Sequence, residues 1–147
     1  MRKIVFLLIA LFSLHFSFAQ NWSHNLQESL QNAQKENKYI LVNFSGSDWC
    51  GPCIRLHKEV FTLSIFNQIA NQKLVLVNAD FPRYKKNQLS AAQQKINDEI
   101  AEKYNSKGLF PYTVLLNSNG EQIKSWEGFP SSIDAFIDDL QSSVQGK

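Results

Sequence analysis

Two cysteines, Cys50 and Cys53, are the only cysteines of the chain, and they lie within the segment Trp-Cys-Gly-Pro-Cys at residues 49–53. The segment directly follows the apolar run 39–44, which predicts a buried strand. A strand that ends at a Cys-x-x-Cys, with a helix beginning inside the motif, is the layout of a thiol–disulfide redox centre. The chemistry predicted for this chain is therefore exchange between a dithiol and a disulfide.

The two cysteines are predicted to have different roles. Cys50 would lie at a helix N-terminus, where unpaired backbone N–H groups and the helix dipole favour its thiolate. Cys53, one turn further on, is positioned to displace a mixed disulfide while it remains shielded. We therefore predict Cys50 as the nucleophile and Cys53 as the resolving thiol, with this redox-active pair in place of any bound cofactor.

The neighbours of the cysteines are predicted to support this exchange. Gly51 permits close approach by a partner, and Pro52 fits the first helical turn, where its missing N–H is no loss. Trp49 offers a flat apolar surface beside the nucleophile, although a half-buried packing role explains it equally well.

Two other roles for the cysteine pair are weaker. A purely structural disulfide is disfavoured because closing a loop of two residues restrains the unfolded chain very little. Zinc is the other alternative, since His57 lies one turn after Cys53. A closed zinc site needs a fourth ligand, but His24 is the only other histidine after residue 19 and there is no second cysteine pair. We therefore predict no metal site.

Residues 1–19 are predicted to be an export signal. They combine a positive start, an apolar centre over 4–12 and a small-residue cleavage site at 17–19. An uncleaved membrane anchor is disfavoured because the apolar run is shorter than the roughly 20 residues that span a bilayer. The sequence thus predicts a signal peptide at 1–19 and one domain at 20–147. That domain would be periplasmic in a Gram-negative bacterium or otherwise secreted, with no stable membrane insertion after cleavage.

The charge balance argues against polyanionic partners. Once the two basic residues of the signal are removed, 13 basic residues face 13 acidic ones. A formally neutral chain gives no support for binding to nucleic acid or to an anionic membrane. The one basic cluster, at Arg83, Lys85 and Lys86, lies in a predicted loop, and a solvated connector is favoured over a docking patch.

Hydrophobic periodicity predicts eight elements in the order α-β-α-β-α-β-β-α. Two βα crossovers followed by a hairpin imply an α/β fold, with a central mixed four-stranded sheet flanked by helices on both faces. Helices are expected over 22–38, 54–69 with a break near 62–64, 90–104 and 133–140. Strands are expected over 39–44, 74–79, 112–116 and 121–127, with a long loop at 81–89.

This order of elements resembles that of the thioredoxin superfamily, and the segment 49–53 is identical to the active-site pentapeptide of thioredoxins. The resemblance covers nearly all of residues 20–147 and implies a thioredoxin-like fold. The segment Phe110-Pro111 resembles the family's cis-proline loop, which faces the cysteines and offers its backbone to a substrate strand. Gly128 resembles the glycine of the apolar docking rim, although a simple turn glycine is an equal alternative.

Two positions depart from the cytosolic thioredoxin pattern. The family's buried aspartate is replaced by Asn43, and its lysine partner by Leu76. Because an amide cannot relay a proton, another group or water must serve Cys53. His57 is one candidate, with packing or solvation as the alternative. Asp48 is another, since its charge would tune the thiol pKa, with capping of the helix as the alternative.

The resemblance implies an exported thiol–disulfide oxidoreductase, most simply a reductase of protein disulfides. The Gly-Pro pair between the cysteines is similar to that of reducing family members. Such a protein needs a membrane-embedded thiol-electron donor, and we expect it to act as a monomer. A disulfide oxidase or isomerase is the alternative activity, and a thioredoxin-fold binding module with little redox activity is the alternative class.

Overall fold

A computed structural model of the protein describes residues 20–145, so the predicted export signal at 1–19 lies outside the described residues. Within this range, no helix is both long and apolar enough to cross a membrane. The strands are β1 (Trp22–Ser23), β2 (Tyr39–Ser45), β3 (Leu74–Asp80), β4 (Tyr112–Leu116) and β5 (Gln122–Glu127). The α-helices are α1 (Leu26–Glu36), α2 (Gly51–Leu56), α3 (Ser64–Lys73), α4 (Ala91–Tyr104) and α5 (Ile133–Ser143).

The strands form one mixed sheet in the order β1-β3-β2-β4-β5. β1, β3 and β2 are parallel, whereas β4 runs antiparallel to both β2 and β5. The sheet has five strands in the described residues, so the predicted number of four was one too low. The predicted α/β class, the four longer strands and their order are confirmed.

The extra strand explains why the helix predicted over 22–38 begins too early. Trp22 and Ser23 pair with Leu76 and Val77 at the edge of the sheet. α1 begins only at Leu26, because the side chain of Asn25 accepts hydrogen bonds from the first free helical N–H groups and caps the helix. A strand of two residues is too short to show a period of two, so its sequence did not distinguish it from the helix that follows.

Apolar side chains alternate between the two faces of the central strand β2. Tyr39 and Leu41 enter the core beneath α2, α3 and α5. Ile40, Val42 and Phe44 enter the second core, beneath α1 and α4. All seven residues of β2 are buried, as expected for a strand covered on both faces. The fold thus holds β2 rigidly and directs its carboxyl end toward the cysteine pair.

The predicted break near 62–64 is confirmed. α2 continues into one π-helical turn, His57–Phe61, before the chain bends and α3 starts at Ser64. The turn directs Phe61 into the core, where its ring lies 5.0 Å from that of Trp22 and 4.8 Å from that of Phe66. The helix that carries both cysteines is therefore anchored to the sheet by an aromatic cluster.

Candidate active site

The cysteines lie just beyond the carboxyl end of β2. Cys50 is the N-cap residue of α2, and its backbone N–H donates to the carbonyl of Gly46 over 2.9 Å. Cys50 and Cys53 form a disulfide, with an S–S distance of 2.08 Å and their Cα atoms 5.2 Å apart. The backbone N–H of Cys53 lies 3.3 Å from Cys50 Sγ and donates to it. A free helical N–H thus points at the sulfur predicted to carry the negative charge.

The expected difference in exposure between the two cysteines is not present in this oxidised state. Cys50 is 4% exposed and Cys53 is 2% exposed. What distinguishes them is the helical N–H that Cys50 alone receives, which stabilises a thiolate there. Gly51 and Pro52 are both exposed, and an added Cβ at Gly51 would meet no atom within 4 Å. A partner can therefore approach over these two residues.

Trp49 is held in place by contacts that its own segment does not show. Its indole Nε1 donates to the carbonyl of Phe81 over 2.7 Å. The indole lies so close to Gly46 that a Cβ added there would come within 2.3 Å of the ring. Gly46 is therefore required for this packing, a role that the sequence analysis missed.

Aromatic rings join the cysteine segment to the proline loop. Phe110 contacts both Trp49 and Phe81 edge-on, each with ring centroids 5.5 Å apart. The guanidinium of Arg83 lies 3.6 Å from the centroid of the Trp49 ring, within cation–π range. The predicted supporting residues Trp49 and Phe110 are thus brought together, and Phe81 and Arg83 join them from the long loop.

Pro111 directly precedes β4, and Gly128 directly follows β5, which pairs with β4. The Phe110–Pro111 peptide bond is cis, the isomer that the resemblance implies. The backbone N–H of Gly128 donates to the Pro111 carbonyl over 2.9 Å. Gly128 adopts a φ of +71°, which residues with a Cβ disfavour. The two predicted rim residues are thus adjacent, and Gly128 is required by its backbone conformation.

Asn43 is buried and takes part in a polar chain across the sheet. Its Nδ2 donates to Oδ1 of Asn78 over 3.1 Å, and its Oδ1 lies 3.4 Å from the hydroxyl of Thr113. In the paired strands, Asn43 lies opposite both Asn78 and Thr113. These three neutral side chains form hydrogen bonds with one another, and no ionisable side chain occupies the position of the family's buried acid. Leu76 contributes only apolar packing to the core.

His57 lies at the surface rather than in the core. The residue is exposed, and its ring contacts the edge of Phe61 at a centroid distance of 6.4 Å. Its backbone N–H donates to the carbonyls of Cys53 and Ile54, which continues the helix. The imidazole makes no side-chain hydrogen bond within residues 20–145. These contacts match the alternative prediction of a packed and solvated helix residue.

Asp48 does not cap α2, because Cys50 occupies the N-cap position. The predicted capping role is therefore wrong. Its carboxylate instead accepts three hydrogen bonds of 2.9 Å each, from the backbone N–H groups of Arg83 and Tyr84 and from Asn87 Nδ2. Desolvation raises the pKa of Asp48, but these hydrogen bonds, together with one from its own backbone N–H, lower it by more, so the pKa lies below the ordinary value. A carboxylate saturated with donors is a poor proton acceptor at neutral pH.

The lowered pKa of Asp48 predicts a pH-dependent anchoring of the loop. The stabilisation is complete above the ordinary pKa of 3.8 and is lost as the pH falls through the lower folded-state pKa. We expect the NMR amide resonances of Arg83 and Tyr84 to shift as the pH falls below 3.8, and to lose this shift in Asp48→Asn.

The amide of Ser47 donates to Asp80 rather than to Asp48 and is the internal control for this titration. The Ser47 amide resonance should show the same pH dependence in the wild-type protein and in Asp48→Asn. Unchanged titration of the Arg83 and Tyr84 amides in Asp48→Asn would show that another group holds the loop.

A family model described as a thioredoxin-like domain matches residues 26–141. The chain belongs to the thioredoxin-like family. One relative of this thioredoxin-like protein is the disulfide bond reductase DsbH of Chlamydia pneumoniae. The two are 30% identical over 118 residues, which cover 80% of this chain and 69% of DsbH. The thioredoxin-related protein DsbJ of the same organism is 30% identical over 102 residues, covering 69% of this chain and 28% of DsbJ.

A solved structure of a DsbH oxidoreductase superposes on this thioredoxin-like protein with a TM-score of 0.75 and 29% identity. The match covers 86% of this chain and 85% of that one. The thioredoxin-like protein is thus a member of a thiol–disulfide oxidoreductase family, and its two cysteines form the disulfide that such chemistry requires.

Proposed function

We propose that the protein is a protein-disulfide reductase in which Cys50 is the nucleophile and Cys53 the resolving thiol. The observation that carries the proposal is the Cys50–Cys53 disulfide at the start of α2, with a helical N–H donating to Cys50 Sγ. The name of the relative DsbH, a disulfide bond reductase, supports the direction of the reaction. The Gly-Pro pair between the cysteines is similar to that of reducing family members.

The reaction proceeds in two exchanges that balance. The Cys50 thiolate attacks one sulfur of the substrate disulfide, a Cys50–substrate disulfide forms, and the other substrate sulfur leaves as a thiolate. Cys53, deprotonated, then attacks Cys50 Sγ, which releases the second substrate thiolate and leaves the Cys50–Cys53 disulfide. Two electrons pass to the substrate, and each released thiolate takes up a proton. No cofactor beyond the cysteine pair takes part.

The residues around the pair supply binding surfaces rather than acid–base groups. Pro111 and Gly128 would supply backbone groups to a substrate strand, and Trp49 and Phe110 would supply aromatic rings next to the cysteine segment. Asn43 cannot accept the proton of Cys53. Thr113, whose hydroxyl lies 3.4 Å from Asn43 Oδ1, is among the residues that line an open groove of about 580 Å³. We infer that water from this groove, rather than a carboxylate, accepts the Cys53 proton.

The proposed function includes export and a reducing partner. The segment 1–19 has the composition of an export signal. In an oxidising compartment the cysteine pair would stay oxidised unless a partner reduced it again. A membrane-embedded thiol-electron donor would return the pair to the dithiol state. The substrates are disulfides of other exported proteins, and the reductase acts as a monomer.

Insulin reduction by the purified protein tests the proposal. With dithiothreitol as the electron source, we expect the protein to accelerate precipitation of the insulin B chain well above the rate with dithiothreitol alone. The Cys50→Ser/Cys53→Ser double variant is the control. A wild-type rate equal to that of the double variant would favour the binding-module alternative and would contradict the reductase function.

A further inference from the structure

The segment 81–89, called the basic loop below, is fixed beside the disulfide. Asp48 accepts hydrogen bonds from the backbone of Arg83 and Tyr84 and from the side chain of Asn87. The indole of Trp49 donates to Phe81 at the start of the loop. Because both anchoring residues directly precede Cys50, the loop is positioned by the active-site segment itself. The sequence-based prediction of a solvated connector does not account for this anchoring.

The basic loop carries three cations that are available to a partner. Arg83, Lys85 and Lys86 are all exposed. None of them forms an ion pair with a carboxylate in the described part of the chain, where the observed pairs involve other residues. The Asp48 carboxylate, which anchors the loop, accepts hydrogen bonds only from uncharged N–H donors and keeps its own negative charge. The basic loop and its Asp48 anchor therefore carry three positive charges against one negative charge, so this surface keeps a net positive charge.

Two details give this surface the character of a protein-binding site. Tyr84, between Arg83 and Lys85, is 56% exposed and is one of three large apolar side chains that lie in solvent within residues 20–145. Exposed aromatic rings next to arginine are typical of interface hot spots. The Arg83 guanidinium lies against the Trp49 ring at 3.6 Å, so its position beside the nucleophile is fixed. A fixed guanidinium binds a carboxylate at a lower entropic cost than a freely moving one.

We propose that the basic loop is a docking surface for acidic segments of protein disulfide substrates. The inference rests on the proposed function and adds a substrate class to it: cysteines flanked within a few residues by Asp or Glu. As Cys50 attacks such a substrate, the flanking carboxylates meet Arg83, Lys85 and Lys86, while Tyr84 contacts the adjoining chain. Charge complementarity raises the rate of productive encounter more than it raises the final affinity.

Mixed-disulfide formation in a Cys53→Ser background isolates this docking step. The probes are three peptides of equal length, each with one cysteine activated as a 2-thiopyridyl disulfide and with acidic, neutral or basic flanks. Cys50 attacks the peptide sulfur, the Cys50–peptide bond forms, and the released 2-thiopyridone is followed by absorbance. We expect the acidic peptide to react roughly tenfold faster than the basic one at low salt. The ratio should approach one at about 1 M salt, where the Debye length is about 3 Å.

Two variants that each remove two positive charges test whether the preference for acidic peptides arises from the basic loop. Lys85→Gln/Lys86→Gln should lower the acidic-to-basic rate ratio by roughly threefold or more. The control is Lys35→Gln/Lys103→Gln, which removes the same charge from the last turns of α1 and α4. The last turn of α1 leads into the amino end of β2, and the disulfide follows the carboxyl end, about 20 Å away along the strand. The control should leave the ratio unchanged.

Two results would overturn the docking surface: a wild-type ratio near one at low salt, or an equal loss in the Lys35/Lys103 control. Either outcome leaves insulin reduction untouched and so does not bear on the proposed function. Conversely, the protein could keep the charge preference but fail to reduce insulin. That result would overturn the reductase function and support the docking surface, because the attack of Cys50 on an activated peptide does not depend on the direction of catalysis.

Discussion

Cys50→Ser is expected to abolish disulfide reduction, lowering the rate on the order of a thousandfold or more. A serine hydroxyl is not ionised at neutral pH, so the helical N–H that stabilises a thiolate at this position has no anion to act on. Cys53→Ser should also stop turnover, but for a different reason. Its Cys50 still attacks, and without the resolving thiol the enzyme accumulates as a mixed disulfide with its substrate.

The accumulation of mixed disulfides in each variant is measured by non-reducing electrophoresis and mass spectrometry after incubation with exported proteins. The Cys53→Ser variant should yield bands that disappear on reduction, and the Cys50→Ser variant should yield none or far fewer. The double variant is the matched control for non-specific capture. Accumulation in Cys50→Ser instead would show that the roles of the two thiols are reversed.

Phe61→Ala is expected to lower the free energy of unfolding by about 3–5 kcal/mol. Phe61 is 1% exposed and contacts the rings of Trp22 and Phe66. Truncation would leave a cavity where the π-helical turn after α2 joins the core, and surrounding rings relax only partly into such cavities. Because total stability of single domains is roughly 5–15 kcal/mol, this loss would be a large fraction of the whole. Equilibrium denaturation in urea measures it.

Ile65→Ala is the control for this change. Ile65 also lies close to the bend after α2, at the start of α3, but it is 42% exposed. Its truncation should cost less than about 1 kcal/mol. A loss in Phe61→Ala no larger than that in Ile65→Ala would contradict the anchoring role of the aromatic cluster.

Much of the fold could be predicted from the sequence, because each long element carries its own periodic signal. β2 and β3 each begin with a run of four consecutive apolar residues, and α4 and α5 place their apolar residues at helical spacing. β1 could not be predicted, since two residues carry no period and its existence depends on pairing with β3. The strand count therefore required the tertiary structure.

The candidate site was predictable only where residues are linked by the chain or by a family motif. The Cys50–Cys53 pair and Pro111 could be named in this way. The roles of Asp48 and Arg83 could not, because they depend on contacts between segments more than thirty residues apart in sequence. The role of Gly46 depends on how the nearby Trp49 ring folds back over it, which the spacing alone does not show. Asp48 was assigned to the nearest helix because a sequence shows the cap that is close by, not the loop that folds back onto it.

The equilibrium reduction potential of the Cys50–Cys53 pair tests the reductase claim most directly. It is measured by equilibrating the purified protein with glutathione or dithiothreitol redox buffers and determining the fraction of disulfide. We predict a value of about −270 mV, similar to that of thioredoxins. A value between about −180 and −120 mV, the range of isomerases and strong oxidants, would contradict the reductase function and favour an oxidase or isomerase.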